Sequence, residues 1–231
     1  MPKTSIVIFG YHSTAVEVAT YLRSRDYRIT IIDDNEEKLA KARYAGFETA
    51  RLDYRDDAEL KKLGLGRDVE VVFSLFPDDA ENVFLVISVR ALAPDVRIFT
   101  IAHGALAVPK LIAAGANKVV DTYEITGHRI VDILDRPIIT EILDNTLFGQ
   151  ADLSMAEVPM MAGSILNGHT VKDIQLGNDY NLILVGIVDR EMGDNFIYST
   201  EGHNHRLDEG DVLVLIGPNE EIDRIRQDLA P

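Results

Sequence analysis

The sequence predicts an α/β protein with a Rossmann-like doubly wound parallel sheet, a helical crossover and a small C-terminal α+β domain. Apolar runs alternate with helical patterns from residue 5 to about residue 120, the order of elements in a parallel sheet covered by helices. These runs are apolar at nearly every position, as strands buried on both faces require. After residue 120 the alternation stops, and short apolar runs separated by turns replace it.

Six strands and five helices are expected in the N-terminal part. The strands are placed at residues 5–9, 28–33, 47–51, 69–75, 96–101 and 118–120. The helices are placed at residues 13–25, 35–45, 56–63, 79–93 and 105–114. Gly46 and Gly115 mark two helix ends, because glycine accepts the left-handed conformation that follows a last turn. Right-handed crossovers between parallel strands then predict the strand order 3-2-1-4-5-6.

The segment at 123–147 predicts two helical pieces. They are separated at Arg136 and Pro137, because proline does not continue a helix. The second piece carries an apolar stripe, formed by Ile138, Ile139, Ile142, Leu143 and Leu147. Such a stripe packs on the protein's own core or on another subunit or domain, and both alternatives stay open.

Short strands and a final helix are expected from residue 151 onward. The strands are placed at 156–159, 182–188, 196–199 and 211–216, and the helix at 220–229. The predicted domains are therefore residues 1–121, a crossover at 122–150, and residues 151–231.

The composition excludes several classes of protein. The chain has 231 residues, of which 46% are hydrophobic, so it can build a sizeable core. It contains no cysteine, which excludes disulfides and zinc–thiolate sites and fits a reducing compartment. No apolar run approaches the roughly 18 residues of a membrane span, and no signal peptide is expected. The net charge of −15 argues against nucleic acid and anionic membranes as partners, but permits a cation or a basic partner.

The first strand is followed by a modified dinucleotide-binding turn. Gly10, His12 and Ala15 occupy the three glycine positions of the G-x-G-x-x-G fingerprint. Gly10 still permits the sharp turn, whereas His12 places a side chain where backbone approaches a pyrophosphate. Phosphate contacts are expected from the turn and the helix N-terminus after it, at Gly10, Tyr11, His12, Ser13 and Thr14.

An acidic residue closes the second strand. Asp33 lies 23 residues after Gly10, where a carboxylate accepts hydrogen bonds from a ribose and repels a 2′-phosphate. NAD, ADP or AMP is therefore expected in preference to NADP. The alternative is that Asp33, Asp34 and Asn35 only cap the next helix. Asp34 could provide that cap and leave Asp33 free for the nucleotide.

The ends of the third and fourth strands supply further candidates. These strand ends converge on the crevice at the switch point of the fold. Contacts to the nucleotide are expected there from Asp34, Asp53, Ser74, Leu75 and Phe76.

Two pairs of residues are candidate ligands of calcium or another divalent cation. Asp78 and Asp79 begin a helix, so they either cap it or contribute to a metal site. His203 and His205 would point the same way from an extended segment, which is metal-ligand spacing, and a solvated loop is the alternative.

The motifs of catalysis are missing from the sequence. No G-x-S-x-G, H-E-x-x-H or P-loop pattern occurs, so the chain is not expected to be an enzyme. The alternatives are an NAD-dependent oxidoreductase and a catalytically inert Rossmann scaffold. His103 is the one residue near a strand end that suits acid–base work in the first of these.

The order of the features resembles the RCK family, the regulators of potassium conductance, also described as TrkA-N plus TrkA-C domains. In the N-terminal part the resemblance is carried by IFGY (8–11), IIDDNE (31–36) and AAGANKVV (113–120). In the C-terminal part it is carried by VP (158–159), LDEGDVL (207–213) and IGPNEEI (216–222). The resemblance covers nearly the whole chain.

The resemblance implies a cytoplasmic ligand sensor that is associated with a membrane through a potassium channel pore or a transporter subunit. Family members form homodimers through the crossover helices and assemble into gating rings, commonly octamers. A bound adenine nucleotide or divalent cation then controls the transport of K⁺. The pore would be on the same polypeptide or on a partner.

Overall fold

A computed structural model of the chain describes residues 4–25, 27–147, 152–171, 174, 176–190, 193, 195–201 and 205–229. The chain divides into two compact units, Met1–Val131 and Asp132–Pro231. Among the described residues, no helix is both long enough and apolar enough to cross a bilayer.

The N-terminal unit contains a six-stranded parallel sheet. Its strands are β1 (Thr4–Phe9), β2 (Tyr27–Asp33), β3 (Glu48–Arg51), β4 (Val71–Ser74), β5 (Arg97–Ala102) and β6 (Lys118–Asp121). Its helices are α1 (Ser13–Arg23), α2 (Glu36–Tyr44), α3 (Asp57–Lys62), α4 (Asp79–Leu92) and α5 (Val108–Ala114). The strand order is β3-β2-β1-β4-β5-β6, which confirms the predicted doubly wound sheet.

The two faces of this sheet bury two separate apolar clusters. Val7 and Phe9 of β1 join the cluster under α3, α4 and α5, and Ile6 and Ile8 join the cluster under α1 and α2. Successive side chains of a strand point to opposite faces, so a strand covered on both faces must be apolar throughout. This explains why β1 is a continuous apolar run and does not alternate.

Helix α5 begins later than the sequence predicts. Residues 104–107 form a turn in which the Ala107 N–H donates to the Gly104 carbonyl at 3.0 Å, and the helix starts at Val108. Pro109 lies in the first helical turn, where its missing N–H costs no intrahelical hydrogen bond. The position of Pro109 is therefore compatible with a helix that begins at Val108.

The crossover forms the two predicted helices, α6 (Thr122–Asp135) and α7 (Pro137–Leu147). Pro137 is the first residue of α7, so the break falls where the sequence predicts it. No side chain of α6 is buried. Large apolar side chains of both helices are exposed, including Ile130, Leu134, Ile138, Ile139 and Ile142. The members of the stripe whose side chains the structure describes, Ile138, Ile139, Ile142 and Leu143, are therefore not buried in this chain.

The C-terminal unit contains a four-stranded antiparallel sheet in the order β7-β10-β8-β9. Its strands are β7 (Leu153–Pro159), β8 (Ile183–Asp189), β9 (Asn195–Tyr198) and β10 (Val212–Pro218). The helices α8 (Leu176–Asp179) and α9 (Asn219–Asp228) accompany it. Leu213 and Leu215 of β10 pack with Ile222 and Ile225 of α9, which confirms the small α+β domain.

Candidate functional site

The candidate site lies at the carboxyl ends of the central parallel strands. The strand order reverses between β1 and β4, and ligands of doubly wound sheets bind beside that point. Gly10 follows β1, Asp33 ends β2, Asp53 follows β3, and Leu75 follows β4. The topology therefore brings the predicted nucleotide-binding residues to one crevice.

Gly10 makes the turn that the sequence predicts. Its φ is +85°, a left-handed value that favours glycine, and its N–H donates to the Ile32 carbonyl at 2.9 Å. A Cβ at this position would lie 2.8 Å from Cδ1 of Phe76 and 3.3 Å from the Leu75 carbonyl oxygen. The close approach of the loop after β4 thus requires glycine here.

His12 is the N-cap residue of α1, but its side chain makes no capping hydrogen bond. Its carbonyl accepts the first intrahelical hydrogen bond, from Val16, at 2.9 Å. The first-turn N–H groups at Ser13 and Thr14 therefore receive no cap from His12. Such a helix N-terminus attracts anions because its amides and the helix dipole both favour negative charge.

The imidazole of His12 turns toward α2 instead. Its Nε2 lies 2.9 Å from Nζ of Lys38. Partial burial lowers the pKa of His12 below 6.5, and the positive charge of Lys38 lowers it further, while Asp33 and Glu81 oppose the shift. The neutral imidazole is therefore the favoured form at neutral pH. Lys38 was not among the predicted site residues, because its contact with His12 spans 26 residues.

Asp33 is buried and joins the turn to the start of α2. One carboxylate oxygen accepts from the Tyr11 N–H at 2.9 Å, and the other from the Asn35 N–H at 2.9 Å. Lys38 Nζ lies 3.3 Å from the first oxygen, and the Asp33 side chain is 2% exposed. A carboxylate has about four acceptor positions, so a ribose hydroxyl could still share it. The Tyr11 ring packs against the cluster under α1 and α2.

The cap of α2 differs from the expectation. Asn35, not Asp34, is the N-cap, and its side-chain oxygen accepts from the N–H groups of Glu37 and Lys38 at 2.8 and 3.3 Å. The reason is position: α2 begins at Glu36, so the residue directly before it provides the cap. Asp34 is thereby left to interact across the crevice.

Arg55 is a crevice residue that the sequence reasoning missed. Its guanidinium lies 3.3 Å from Asp34, 3.6 Å from Asp53 and 3.3 Å from Glu81, joining groups that follow β2 and β3 to the first turn of α4. It also stacks 4.4 Å over the ring of Tyr54. A cation among acidic residues just after β3 was the available signal.

Tyr54 is held in the same cluster. Its hydroxyl donates to Glu81 at 2.5 Å, and burial followed by that contact raises its pKa. The phenol is therefore neutral at physiological pH. Tyr54, Arg55, Ala80, Glu81 and Phe84 line a cavity of about 310 Å³.

Ser74, Leu75 and Phe76 form the inner wall of the crevice. Their exposures are 0%, 3% and 5%, so their side chains belong to the protein interior. The Ser74 hydroxyl donates to the side-chain oxygen of Asn82 at 2.8 Å, and the Phe76 N–H donates to the same atom at 3.0 Å. Their expected contacts with a nucleotide stay a prediction, and in this structure they shape the turn at Gly10.

The candidate metal ligands Asp78 and Asp79 have protein partners. Asp78 caps α4 by accepting from the N–H groups of Ala80 and Glu81, at 2.7 and 3.3 Å. Asp79 accepts from the His103 backbone at 3.0 Å and lies 3.0 Å from its Nδ1. Within the described ranges, no three His, Asp or Glu side chains are placed to hold a metal ion. The metal site stays a prediction.

Of the two histidines near the end of the chain, His203 lies outside the described residues. His205 is 16% exposed at its side chain, with Nε2 2.9 Å from Asp211 and Nδ1 3.8 Å from Asp189. The expectation of a solvated loop is therefore wrong for His205, because two buried carboxylates draw its ring inward. Asp211 also accepts from the Asp208 N–H at 3.0 Å, which fixes the turn before β10.

A second cavity, of about 630 Å³, lies at the opposite edge of the sheet, where β2 and β3 begin. Arg23 and Arg28 line it, and both are already engaged. Arg23 donates to the Ala45 carbonyl and stacks 4.1 Å over Phe47, while Arg28 lies 3.3 Å from Glu48. This cavity is separate from the candidate crevice, since the candidate residues lie at the carboxyl ends of the strands.

Two potassium channel proteins of Methanocaldococcus jannaschii are similar to the chain. "Probable potassium channel protein 2" is 28% identical over 194 residues, which are 80% of this chain and 56% of that protein. "Potassium channel protein 1" is 24% identical over 223 residues, which are 96% of this chain and 65% of that protein. The chain thus spans less than two thirds of the length of these relatives.

Solved structures share the fold. The human SLO3 gating ring matches 98% of this chain and 46% of its own, with a TM-score of 0.71 and 13% identity. The GsuK channel bound to NAD matches 100% of this chain and 40% of its own, with a TM-score of 0.52 and 21% identity. GsuK bound to ADP matches 57% of this chain and 34% of its own, with a TM-score of 0.51 and 25% identity.

The family comparison covers both units. The TrkA-N domain matches residues 6–122, about half of the chain, and the TrkA-C domain matches residues 155–230. The chain therefore belongs to the TrkA-N family and has the TrkA-N plus TrkA-C arrangement of RCK domains, which confirms the resemblance seen in its sequence.

Proposed function

We propose that the chain is a cytoplasmic ligand-sensing module of a potassium channel or transporter, and that it binds an adenine nucleotide in the crevice of its N-terminal unit. Membership of the TrkA-N family and similarity to two potassium channel proteins support the regulatory part. The solved GsuK structures with NAD and ADP support a nucleotide as the ligand.

The observation that carries the proposal is the turn at Gly10 beside the N-terminus of α1. The tight turn brings the helix start to the strand edge, and His12 leaves the first-turn amides uncapped by its side chain. Asp33 ends the neighbouring strand and supplies a carboxylate for a ribose. A phosphate at the helix and a ribose at the acid together fit a nucleotide without a 2′-phosphate, and the GsuK structures with NAD and ADP support adenine as its base.

Calorimetric titration of the whole chain with AMP, ADP, NAD⁺, NADH and NADP⁺ tests this proposal. Asp33→Asn should weaken the binding of the preferred nucleotide at least about tenfold, as expected when one charge-assisted hydrogen bond is lost. Asp95→Asn is the matched control, because Asp95 is exposed in the loop between α4 and β5 at the other edge of the sheet. Heat from none of these nucleotides would refute the proposal.

We also propose that the crossover helices form a homodimer contact and that dimers assemble into a ring, such as an octamer. The support is the exposed apolar surface of α6 and α7, where Leu134 is 79% exposed and Ile138 is 72% exposed. Apolar surfaces of this kind are typical of interaction sites. A monomeric mass by light scattering at high protein concentration would contradict the proposal.

In this proposal, the nucleotide controls the flow of K⁺ through a pore on the same polypeptide or on a partner subunit. A ligand shifts a ring between two shapes only as far as it prefers one of them. Potassium flux through reconstituted channel or transporter, with and without ADP or NADH, measures that preference. Flux that is equal under all conditions would exclude control by these ligands.

A divalent cation is a second ligand within the same proposal. Asp78, Asp79, His203 and His205 are its candidate ligands, and calorimetry with Ca²⁺ measures it directly. Asp79→Asn should remove the heat of binding if the cation binds at α4. Unchanged heat would exclude Asp79 as a ligand.

The NAD-dependent oxidoreductase is the second candidate function. It is favoured by one observation, the pairing of His103 at the end of β5 with Asp79, which orients an imidazole beside the crevice. Oxidation of NADH with a panel of carbonyl compounds tests it. Turnover that His103→Ala abolishes would establish catalysis, and absence of turnover would leave the regulatory function.

A further inference from the structure

A histidine of the turn between β1 and α1, called here the phosphate turn, is in direct contact with a lysine of α2. His12 precedes α1 and Lys38 lies in the first turn of α2, and Nε2 of one is 2.9 Å from Nζ of the other. Lys38 Nζ is also 3.3 Å from the buried carboxylate of Asp33. One ammonium group thus joins the residue at the expected phosphate position to the residue at the expected ribose position.

The chemistry of this contact fixes the protonation state of His12. An ammonium group can only donate hydrogen bonds, so Nε2 of His12 must accept and cannot carry a proton. A protonated imidazole would place two positive charges about 3 Å apart, which is strongly unfavourable outside bulk water. Protonation of His12 therefore breaks the contact unless an anion arrives to lie between the two cations.

The other charged groups that face His12 are Asp33 at the end of β2 and Glu81 in the first turn of α4. Both favour a proton on the imidazole, but each is already engaged. Asp33 holds Lys38 and two backbone N–H groups, and Glu81 holds Tyr54 and Arg55. Neither carboxylate hydrogen-bonds to the ring among the described contacts. The neutral imidazole beside Lys38 is therefore favoured until a further negative charge binds.

We propose that His12 and Lys38 couple nucleotide binding at this site to pH: a phosphate group that binds at the N-terminus of α1 pairs with the Lys38 ammonium, and His12 takes up one proton from solvent as it binds. This inference rests on the proposed nucleotide-binding function and adds its regulation. The phosphate supplies the negative charge that makes a charged imidazole beside Lys38 favourable.

The same pair distinguishes between kinds of phosphate. A terminal phosphate, as in ADP or AMP, carries about 1.5 to 2 negative charges at neutral pH, whereas each phosphate of a dinucleotide is a diester with one. Two adjacent cations therefore favour the terminal phosphate. ADP should take up more protons than NAD⁺ on binding, and its affinity should depend more steeply on pH.

Calorimetry of the whole chain with ADP, in buffers of different ionisation enthalpy, measures the protons taken up. We expect up to one proton per ADP, and a dissociation constant that rises by up to about tenfold per pH unit above neutrality. His12→Gln keeps a hydrogen-bonding side chain that cannot be protonated, so both effects should disappear. His169→Gln, at an exposed histidine of the C-terminal unit, should retain both.

Lys38→Met tests the other half of the pair. The variant removes the ammonium group that pairs with the phosphate, so ADP should bind more weakly. His12 in the free protein is protonated more readily without this neighbouring charge, so ADP binding should take up fewer protons. NMR titration of the His12 imidazole in the free protein should show its pKa rise in this variant.

The outcomes separate this inference from the proposed function. ADP binding without proton uptake, or uptake that persists in His12→Gln and then comes from the phosphate itself, would overturn the inference and leave the nucleotide site intact. If no nucleotide bound at any pH, both would be refuted.

Discussion

Asn82 holds the loop between β4 and α4 in place, and its removal should destabilise the N-terminal unit. It is fully buried on α4, and its side-chain oxygen accepts from Ser74 and from the Phe76 N–H at 2.8 and 3.0 Å. Its amide nitrogen donates to the carbonyls of Phe76 and Ile101 at 2.9 and 3.3 Å. One side chain therefore satisfies four buried polar groups.

Asn82→Ala should lower the free energy of unfolding of this unit by about 3 kcal/mol. The Phe76 N–H would be left buried without a partner, which costs about 1–3 kcal/mol, and each remaining hydrogen bond contributes about 1 kcal/mol net. The Ser74 hydroxyl can rotate, so the loss of its hydrogen bond to Asn82 should cost less than the loss of the other hydrogen bonds. Because Phe76 packs against Gly10, the same change should loosen the phosphate turn.

Urea unfolding followed by far-UV circular dichroism measures the change, and hydrogen exchange of the segment at residues 71–82 locates it. Lys61→Ala, at an exposed position of α3, is the control and should stay within about 0.5 kcal/mol of the parent. Ser74→Ala combined with Asn82→Ala should cost less than the sum of the single changes, because the orphaned hydroxyl is gone. A loss below about 1 kcal/mol for Asn82→Ala would refute the reasoning about this network.

Three further predictions follow from the turn and the crossover. Gly10→Ala should lower the free energy of unfolding by about 2 kcal/mol or more, since the left-handed conformation alone costs about 1–2 kcal/mol and the added Cβ would lie 2.8 Å from the Phe76 ring. Thermal unfolding measures this loss, and an unchanged Tm would contradict the prediction. The folded-state pKa of His12 lies below 6.5, so the unfolded chain binds more protons than the folded chain just below that pH. The stability that this difference provides is present above pH 6.5 and is lost as the pH falls. In urea unfolding, His12→Gln should therefore reduce the loss of stability between about pH 7 and about pH 5. Leu134→Asp with Ile138→Asp should convert dimers to monomers in light scattering, because an interface that buries two unpaired charges loses several kcal/mol; an unchanged mass would place the interface elsewhere.

The fold was predictable because its strands are buried on both faces. A strand such as β1 must then be apolar at every position. The stretch of sequence between two such apolar runs is long enough for one helix, which predicts alternating strands and helices. The break at Pro137 was predictable for the same kind of local reason. The start of α5 was not, because residues 104–107 form a turn whose hydrogen bonds compete with a first helical turn.

The candidate site was predictable only in its backbone-determined parts. Gly10 and Asp33 are indicated by their positions at strand ends, and the topology brings those ends together. Lys38 was missed because its contact with His12 spans 26 residues, which no local pattern reports. Arg55 stands among acidic residues just after β3, but its contacts with Asp34 and Glu81 depend on the tertiary fold. Asn82 gave a signal that could have been used. It shares the buried face of α4 with Leu85, Val86 and Val89, at helical spacing.

The two cations of the crevice, Lys38 and Arg55, are already paired with carboxylates, and this bears on how a ligand could act. Lys38 contacts Asp33 and His12, and Arg55 pairs with carboxylates that follow β2 and β3 or lie in the first turn of α4. The ion pairs of Arg55 are exposed and each contributes at most about 1 kcal/mol, so a phosphate can compete for Arg55 at small cost. Lys38 faces the buried carboxylate of Asp33, so a phosphate that draws it away must offset a larger cost. A phosphate that draws Lys38 away from Asp33 alters the contact between the turn and α2. In the proposed function, binding would thus change contacts between elements, which is what a sensor requires and what a rigid scaffold would avoid.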